Sequence, residues 1–272
     1  MPTTQKKRKV RKFRKNRKQV GGDIDTFYTK LTRQDDTLVM IGKGGAGTVY
    51  YDPTQPTIVF KVSNRAEVCR EWRKEEQIYE QLNRYSIDTP YVKLLRLNRF
   101  KVFGGNTGCI LELSRVVNPL DSAADYTIQV QLGVNSLTYK NRARGLFLGV
   151  QQLIEKGIIP EAELNQYVKD LAQCMARLHY EIKNDGFDIE IFAGKENDRT
   201  VLYIGDFDLS NMIKSYDKQA IDSMAWCFGA VPYFPVKEQG ELYSVFSDSY
   251  LTTAEGLGYK EVAEKVLFAY EN

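Results

Sequence analysis

Five carboxylates fall within 24 residues of one another: Asp185, Asp188, Glu190, Asp206 and Asp208. Gathered around one cleft, they would carry more negative charge than an unliganded site tolerates. Hard divalent cations, held by oxygen ligands and completed by phosphate, are the natural compensation. Asp206 and Glu190 are the metal candidates. Asp188 alternates with Ile189 and Ile191 and so shares a strand face with Glu190. Each of these acids also has a plainer reading, as a solvated loop or strand-end residue.

A second constellation lies upstream. Gly42, Gly44 and Gly47, followed by Val49, spell GxGxxGxV. A Walker loop would end in GK[ST] and a Rossmann turn would run into a helix. Here a β run follows, so the glycines sit in a hairpin, a form in which backbone amides fold over the phosphates of a nucleotide. A merely flexible turn is the alternative. In the next run, VFKV, Lys61 lies between Phe60 and Val62 and points to the face opposite theirs, where an ammonium can reach phosphate. Fourteen residues on, Glu75 lies in a helix with Ile78, Tyr79 and Leu82 at +3, +4 and +7, though Glu71, Glu76 and Glu80 compete with it.

The elements that must position these groups follow from the patterning. Short β runs at 38–41, 48–51 and 57–62 are separated by a glycine-rich and then a proline-rich connection, which reads as an antiparallel meander. Cys69, Trp72, Ile78, Tyr79 and Leu82 then mark a charged helix of about 18 residues. Strands are expected at 92–97 and 109–113, giving β, β, β, α, β, β. Between 115 and 158 the expectation is a helix through Leu146, Phe147, Val150, Leu153 and Ile154, ended at Gly157. After Pro160 an apolar stripe, Leu164, Val168, Leu171, Met175 and Leu178, marks a core helix, with His179 a structural side chain at its end.

Charge divides the chain. Ten of the 38 Lys and Arg lie between residues 6 and 18 with no acid among them; the remaining 28 face 35 Asp and Glu, so the body carries −7. The segment QKKRKVRKFRKNRK is too charged to bury a core and is expected to be a disordered arm over residues 1–22. KKRKV resembles a nuclear import signal, and the same cations suit nucleic-acid phosphates or an import receptor; a solubilising terminus is the plain alternative. The 43% of apolar residues suffices for a full core in the body. No run reaches the ~18 apolar residues of a membrane span and no signal peptide is read, so the chain is expected in the cytosol, the nucleus or a virion assembled there. Cys69, Cys109, Cys174 and Cys227 are widely spaced and are expected to be reduced and buried; one histidine excludes His-rich metal sites and HExxH proteases.

At Lys61 and Glu75 the sequence resembles the protein-kinase-like superfamily, in which a strand lysine pairs with a helix glutamate and positions the α and β phosphates. CILELS resembles the kinase hinge, with Glu112 and Leu113 where main-chain groups meet an adenine. NDGFDIEIFAG and TVLYIGDFDLS resemble the catalytic loop and the metal-binding segment: Asp185 falls on the catalytic aspartate, Glu190 on the usual asparagine and Asp206 on the metal-binding aspartate. Lys183 and Asn184 stand where His and Arg are usual, Asp208 replaces the glycine of DFG, and no clear APE motif follows. The pattern more closely resembles divergent kinase-like domains, including an uncharacterised fungal family and viral relatives, with a DxxDxE and DFD signature and a late PYFP segment like Pro232–Pro235.

The resemblance implies an α+β, bilobed fold with an N-lobe over 36–114 and a reduced helical C-lobe over 115–272. It implies ATP and Mg or Mn as cofactors. With 64 residues after Asp208, a peptide-substrate platform is not expected. Three functions compete: an atypical phosphotransferase, with Asp185 orienting an acceptor hydroxyl; a pseudokinase scaffold; and a nucleic-acid-associated or virion-packaged structural protein.

Overall fold

The computed structural model describes residues 23–85, 87–122, 124, 126–141 and 145–272. The expected basic arm lies outside the described residues.

Sequence alternation builds the first layer. Strands β1 (Val39–Lys43), β2 (Thr48–Tyr51), β3 (Ile58–Ser63), β5 (Leu97–Phe103) and β6 (Gly108–Ser114) form an antiparallel sheet in the order β1-β2-β3-β6-β5. On one face Ile58, Phe60, Val62 and Ile110 pack against Ile24 and Phe27 of helix α1 (Ile24–Thr32), with the Phe27 and Phe60 rings stacked at 3.8 Å. This helix precedes the expected start at residue 36. It is capped by Asp23, whose carboxylate accepts from the Asp25 and Thr26 amides. The other face, with Val59, Cys109, Leu111 and Leu113, meets the main core and helix α2 (Ala66–Leu82).

The cysteines correct one expectation. Cys69 on α2 and Cys109 on β6 form a disulfide, their Cα atoms 5.6 Å apart. Forty residues separate them in sequence, so only the packing of α2 on β6 brings them together. Cys174 and Cys227 are free and buried, as expected.

The second half is less purely helical than the sequence suggests. A six-stranded sheet runs β4 (Val92–Leu94), β11 (Arg199–Gly205), β10 (Glu190–Glu196), β7 (Ile128–Gln131), β9 (Gly145–Gly149), β8 (Thr138–Asn141). The run at 92–97 is split between the sheets: Val92–Leu94 pairs with β11, and Leu97 opens β5. Leu146 and Phe147, expected in a helix, belong to β9; only α3 (Val150–Glu155) is helical there. Apolar residues at i, i+1 and i+4 fit both periods over so short a stretch. Helices α4 (Leu164–Arg177), α5 (Lys218–Gly229), α6 (Glu241–Gly256) and α7 (Lys260–Glu271) complete the half, with α4 against α6 and α5 against α7. Among the described residues no helix is long and apolar enough to cross a membrane.

Candidate functional site

The two sheets and α2 enclose a cleft of 580 Å³. Its roof is the β1–β2 hairpin, closed by a Gly44 amide bonded to the Gly47 carbonyl at 2.8 Å. A Cβ on Gly47 would collide with the Val62 carbonyl oxygen and lie 2.9 Å from the Trp72 ring, so the close approach of hairpin, β3 and α2 requires glycine there. The Arg65 guanidinium bonds the Gly45 carbonyl and ties the hairpin to the start of α2. Gly42, Gly44, Gly47 and Val49 all line the cleft.

Alternation along β3 turns Lys61 inward, away from Phe60 and Val62, as expected. Its ammonium is ion-paired with Asp206 and lies 3.5 Å from Asp208 and 5.2 Å from the Trp72 ring centroid. Burial alone would lower its pKa; Asp206, Glu75 and Asp208 together hold it above the ordinary lysine range. It is therefore fully charged.

Glu75 is the buried acid of α2, at 1% exposure, while Glu71 and Glu76 are only partly covered and Glu80 is exposed. The expected Lys61–Glu75 ion pair is not formed, because Lys61 is taken by Asp206 and Asp208. Glu75 instead accepts from the Phe207 amide at 3.3 Å through Oε1, and its Oε2 has no hydrogen-bond partner. Burial, with Asp206 and Asp208 adding to it, pushes Glu75 up to about 8 against the pull of Lys61. Asp208 is raised for the same reasons, burial first and then Asp206.

Asp206 follows β11 with φ of 62°, a left-handed turn that presents its carboxylate to Lys61. Asp188 (φ 59°), Glu190, Asp206 and Asp208 all line the cleft. Among the described residues no three His, Cys, Asp or Glu are gathered closely enough to hold a metal by themselves. The donors present fit a cation that keeps one or two carboxylates and takes its other oxygens from phosphate and water, the habit of Mg.

Asp185 is placed elsewhere. It is buried at 4% exposure and does not line the cleft. Its Oδ1 accepts from the amides of Phe187 (3.1 Å) and Asn211 (2.8 Å), and its Oδ2 from Ser223 Oγ (2.8 Å) and Asn211 Nδ2 (3.2 Å). The expectation that it meets an acceptor hydroxyl is not matched by this placement: four donors within the fold occupy the carboxylate. Asx-type contacts of this kind are common where a loop must be pinned, and the spacing of motifs does not distinguish them from catalytic ones.

The segment expected as a hinge, Glu112 and Leu113, lies at the end of β6. Leu113 lines the cleft, but Glu112 is fully buried and pairs with Phe60 on one side and Arg99 on the other. Its main chain lies inside the sheet, so β6 reaches the cleft at Leu113–Ser114. Sequence reasoning missed Arg65, Gln129 and Tyr233, which also line the cleft, with Tyr233 donating to Gln129 Oε1 at 2.8 Å. Tyr233 lies in the PYFP segment, the one signal that pointed to it. His179 is buried and structural, with Nδ1 2.7 Å from the Tyr250 hydroxyl.

No family model and no curated protein matches the chain. Among solved structures it is similar to the kinase domain of Mycobacterium tuberculosis PknI, at 16% identity over 86% of this chain and 96% of that one, with a TM-score of 0.40. It is also similar to the Cydia pomonella granulovirus kinase PK-1, at 13% identity over 82% of this chain and 74% of that one, with a TM-score of 0.39. Such distant likenesses carry nothing about chemistry. The chain's own arrangement has the protein-kinase-like form: a five-stranded sheet bearing Lys61, a helix bearing Glu75 across it, and a cleft closed below by the β10–β11 hairpin and its acids.

Proposed function

We propose that the cleft binds ATP with Mg or Mn and passes the γ-phosphoryl group to a hydroxyl acceptor. One observation carries this reading: a charged lysine under a glycine hairpin, held by two carboxylates of the β11 turn. In water-excluded surroundings such a cation is a strong phosphate ligand. Lys61 exchanges Asp206 for the α and β phosphates, and Asp206 and Glu190 hold the cation, which neutralises charge on the phosphates. Glu75 keeps the Asp206–Asp208 turn in place through the Phe207 amide. The glycine hairpin covers the phosphates, and Val49 and Leu113 supply apolar walls for the adenine. In the transfer the acceptor oxygen bonds to the γ-phosphorus, and the bond from that phosphorus to the bridging oxygen breaks with its electron pair leaving on ADP. The hydroxyl proton passes to a carboxylate of the 185–190 loop.

The four hydrogen bonds on Asp185 favour a second reading, a nucleotide-binding pseudokinase that serves as a scaffold. The two share nucleotide binding. The test of that shared step is whether ATP with Mg raises the melting temperature, and whether Lys61→Ala abolishes the rise.

For the basic arm, charge supports binding to nucleic acid or to an import receptor. With about six phosphates neutralised, log K falls against log salt with a slope near −5. Deletion of residues 1–20 removes the binding; unchanged affinity would exclude the arm as the site.

A further inference from the structure

A buried amide on the cleft floor is held at one end only. Gln129 of β7 is 1% exposed and lines the cleft, with its Oε1 taken by the Tyr233 hydroxyl at 2.8 Å. Among the described residues its Nε2 has no hydrogen-bond partner. Buried polar groups are almost always paired, and one left open on a cleft marks where a ligand completes the set. Tyr233 is itself fixed. It is buried in a segment pinned to the end of β7: the Gly133 amide donates to the Pro232 carbonyl at 2.9 Å, Gln239 Nε2 donates to the Leu132 carbonyl at 2.7 Å, and a Cβ on Gly133 would lie 2.5 Å from the Phe234 carbonyl oxygen. With Oε1 occupied, the amide offers the cleft N–H donors and no acceptor.

The floor around it is aromatic. Gln129 is in register with Phe192 of β10 on one side and Phe147 of β9 on the other, so the three side chains stand in a row on one sheet face, their strands about 4.8 Å apart. Both phenylalanines are half-buried and line the cleft. Glu190, two residues before Phe192, shares that face and lines the cleft too.

We infer that Gln129 reads the sugar of the bound nucleotide: its Nε2 donates to the ribose 2′ and 3′ hydroxyl oxygens, and Tyr233 is the positioning residue that fixes the amide. The inference rests on the nucleotide reading above. Glu190 marks the metal and phosphate end of the floor, which leaves the nucleoside over Phe192, Gln129 and Phe147. A base stacked between roof and floor lies flat on the aromatic surface. Its lone pairs then point sideways in its own plane, out of line with a donor that rises from the floor. The group that leaves the base plane is the sugar, and its neighbouring hydroxyls accept what Gln129 offers. The ligand is therefore a ribonucleotide, bound less well once those hydroxyls are removed.

Isothermal titration of the full chain with Mg and either ATP or 2′,3′-dideoxy-ATP, which keeps the base and the triphosphate, reads the contact. Wild type binds ATP about tenfold more tightly than the dideoxy nucleotide, the cost of leaving a buried donor unmet. Gln129→Leu, close in volume, weakens ATP to the dideoxy value and leaves dideoxy-ATP within about threefold of wild type, so the preference vanishes. Tyr233→Phe removes only a hydroxyl; the amide can then turn, and the preference narrows while dideoxy-ATP still binds. Where Gln129→Leu does not fold, Tyr233→Phe carries the same comparison. Equal wild-type affinities for the two nucleotides overturn the assignment and leave nucleotide binding standing. So does a Gln129→Leu variant that keeps the preference, whether it binds both nucleotides as wild type does or loses both alike, for Gln129 would then serve the base or the fold alone. A preference unchanged in Tyr233→Phe overturns the positioning role. ATP that fails to bind wild type at all sinks the nucleotide reading, and this assignment with it.

Discussion

His179 shows what burial does to a single group here. With no exposed surface, its ring is held neutral, and its pKa falls to about 3 from the ordinary 6.5. Between those values the unfolded chain binds a proton that the folded chain refuses, so stability falls as pH drops from 6.5 toward 3, by up to about 1.4 kcal/mol per pH unit. Glu75 works with the opposite sign: raised to about 8, it is protonated in the fold and ionised in the unfolded chain, so its contribution is lost as pH rises from 4.5 through 8. Comparing wild type with His179→Gln isolates the first effect. Melting temperature between pH 4 and 6 should fall more steeply for wild type; equal slopes would show that His179 is protonated in the fold. The single histidine was legible as structural because it ends an apolar stripe. Asp185 was not legible, since an acid at a motif position looks the same in sequence whether it faces a cleft or four internal donors.

Helix α2 is held to the sheet at two points, by Trp72 packed against the hairpin glycine and by the Cys69–Cys109 disulfide. A bridge over 40 residues restricts the unfolded chain by about 4 kcal/mol in the chain-entropy model. Denaturant unfolding with a phosphine reductant should lower the stability of wild type by that order, and Cys109→Ser should be insensitive to the reductant. Identical curves for wild type with and without reductant would mean that the bridge contributes nothing. Cytosolic thiols are ordinarily kept reduced. At 5% and 0% exposure, however, both residues of this pair are shielded from soluble reductants. At this scale β1, β2, β3 and β6 of the first sheet and the inward face of α2 were readable from alternation and 3.6-residue spacing, whereas β5 was not, because the apolar run at 92–97 lies mostly in β4 of the second sheet. The second sheet was not: β7, β8 and β9 are four or five residues each, too short for the two periods to separate, and β7 also pairs with β10, far along the chain. The disulfide was invisible for the same reason, as its two cysteines meet only through tertiary packing.

At the scale of the molecule, the order of motifs carried more than any one of them. Glycine hairpin, lysine strand, glutamate helix and the paired acids of β11 arrive in one cleft although Lys61 and Asp206 are 145 residues apart. The expected pairing within that cleft is rearranged, with Lys61 on Asp206 and Asp208 and Glu75 on the Phe207 amide. A ligand that carries its own negative charge and a divalent cation would separate these partners by offering each a better one. Without the cation, four cleft carboxylates repel a bare triphosphate.

The most direct measurement is the melting temperature of the full chain with ATP alone, Mg alone and both, for wild type and Lys61→Ala. At 100 times its Kd a ligand of the folded state adds about 2.7 kcal/mol, which moves the midpoint of a chain this size by several degrees. The account predicts that wild type shifts only when ATP and Mg are both present, and that Lys61→Ala, compared with its own unliganded midpoint, does not shift. A wild-type midpoint unmoved by ATP with Mg or Mn, or an equal shift in Lys61→Ala, would contradict it.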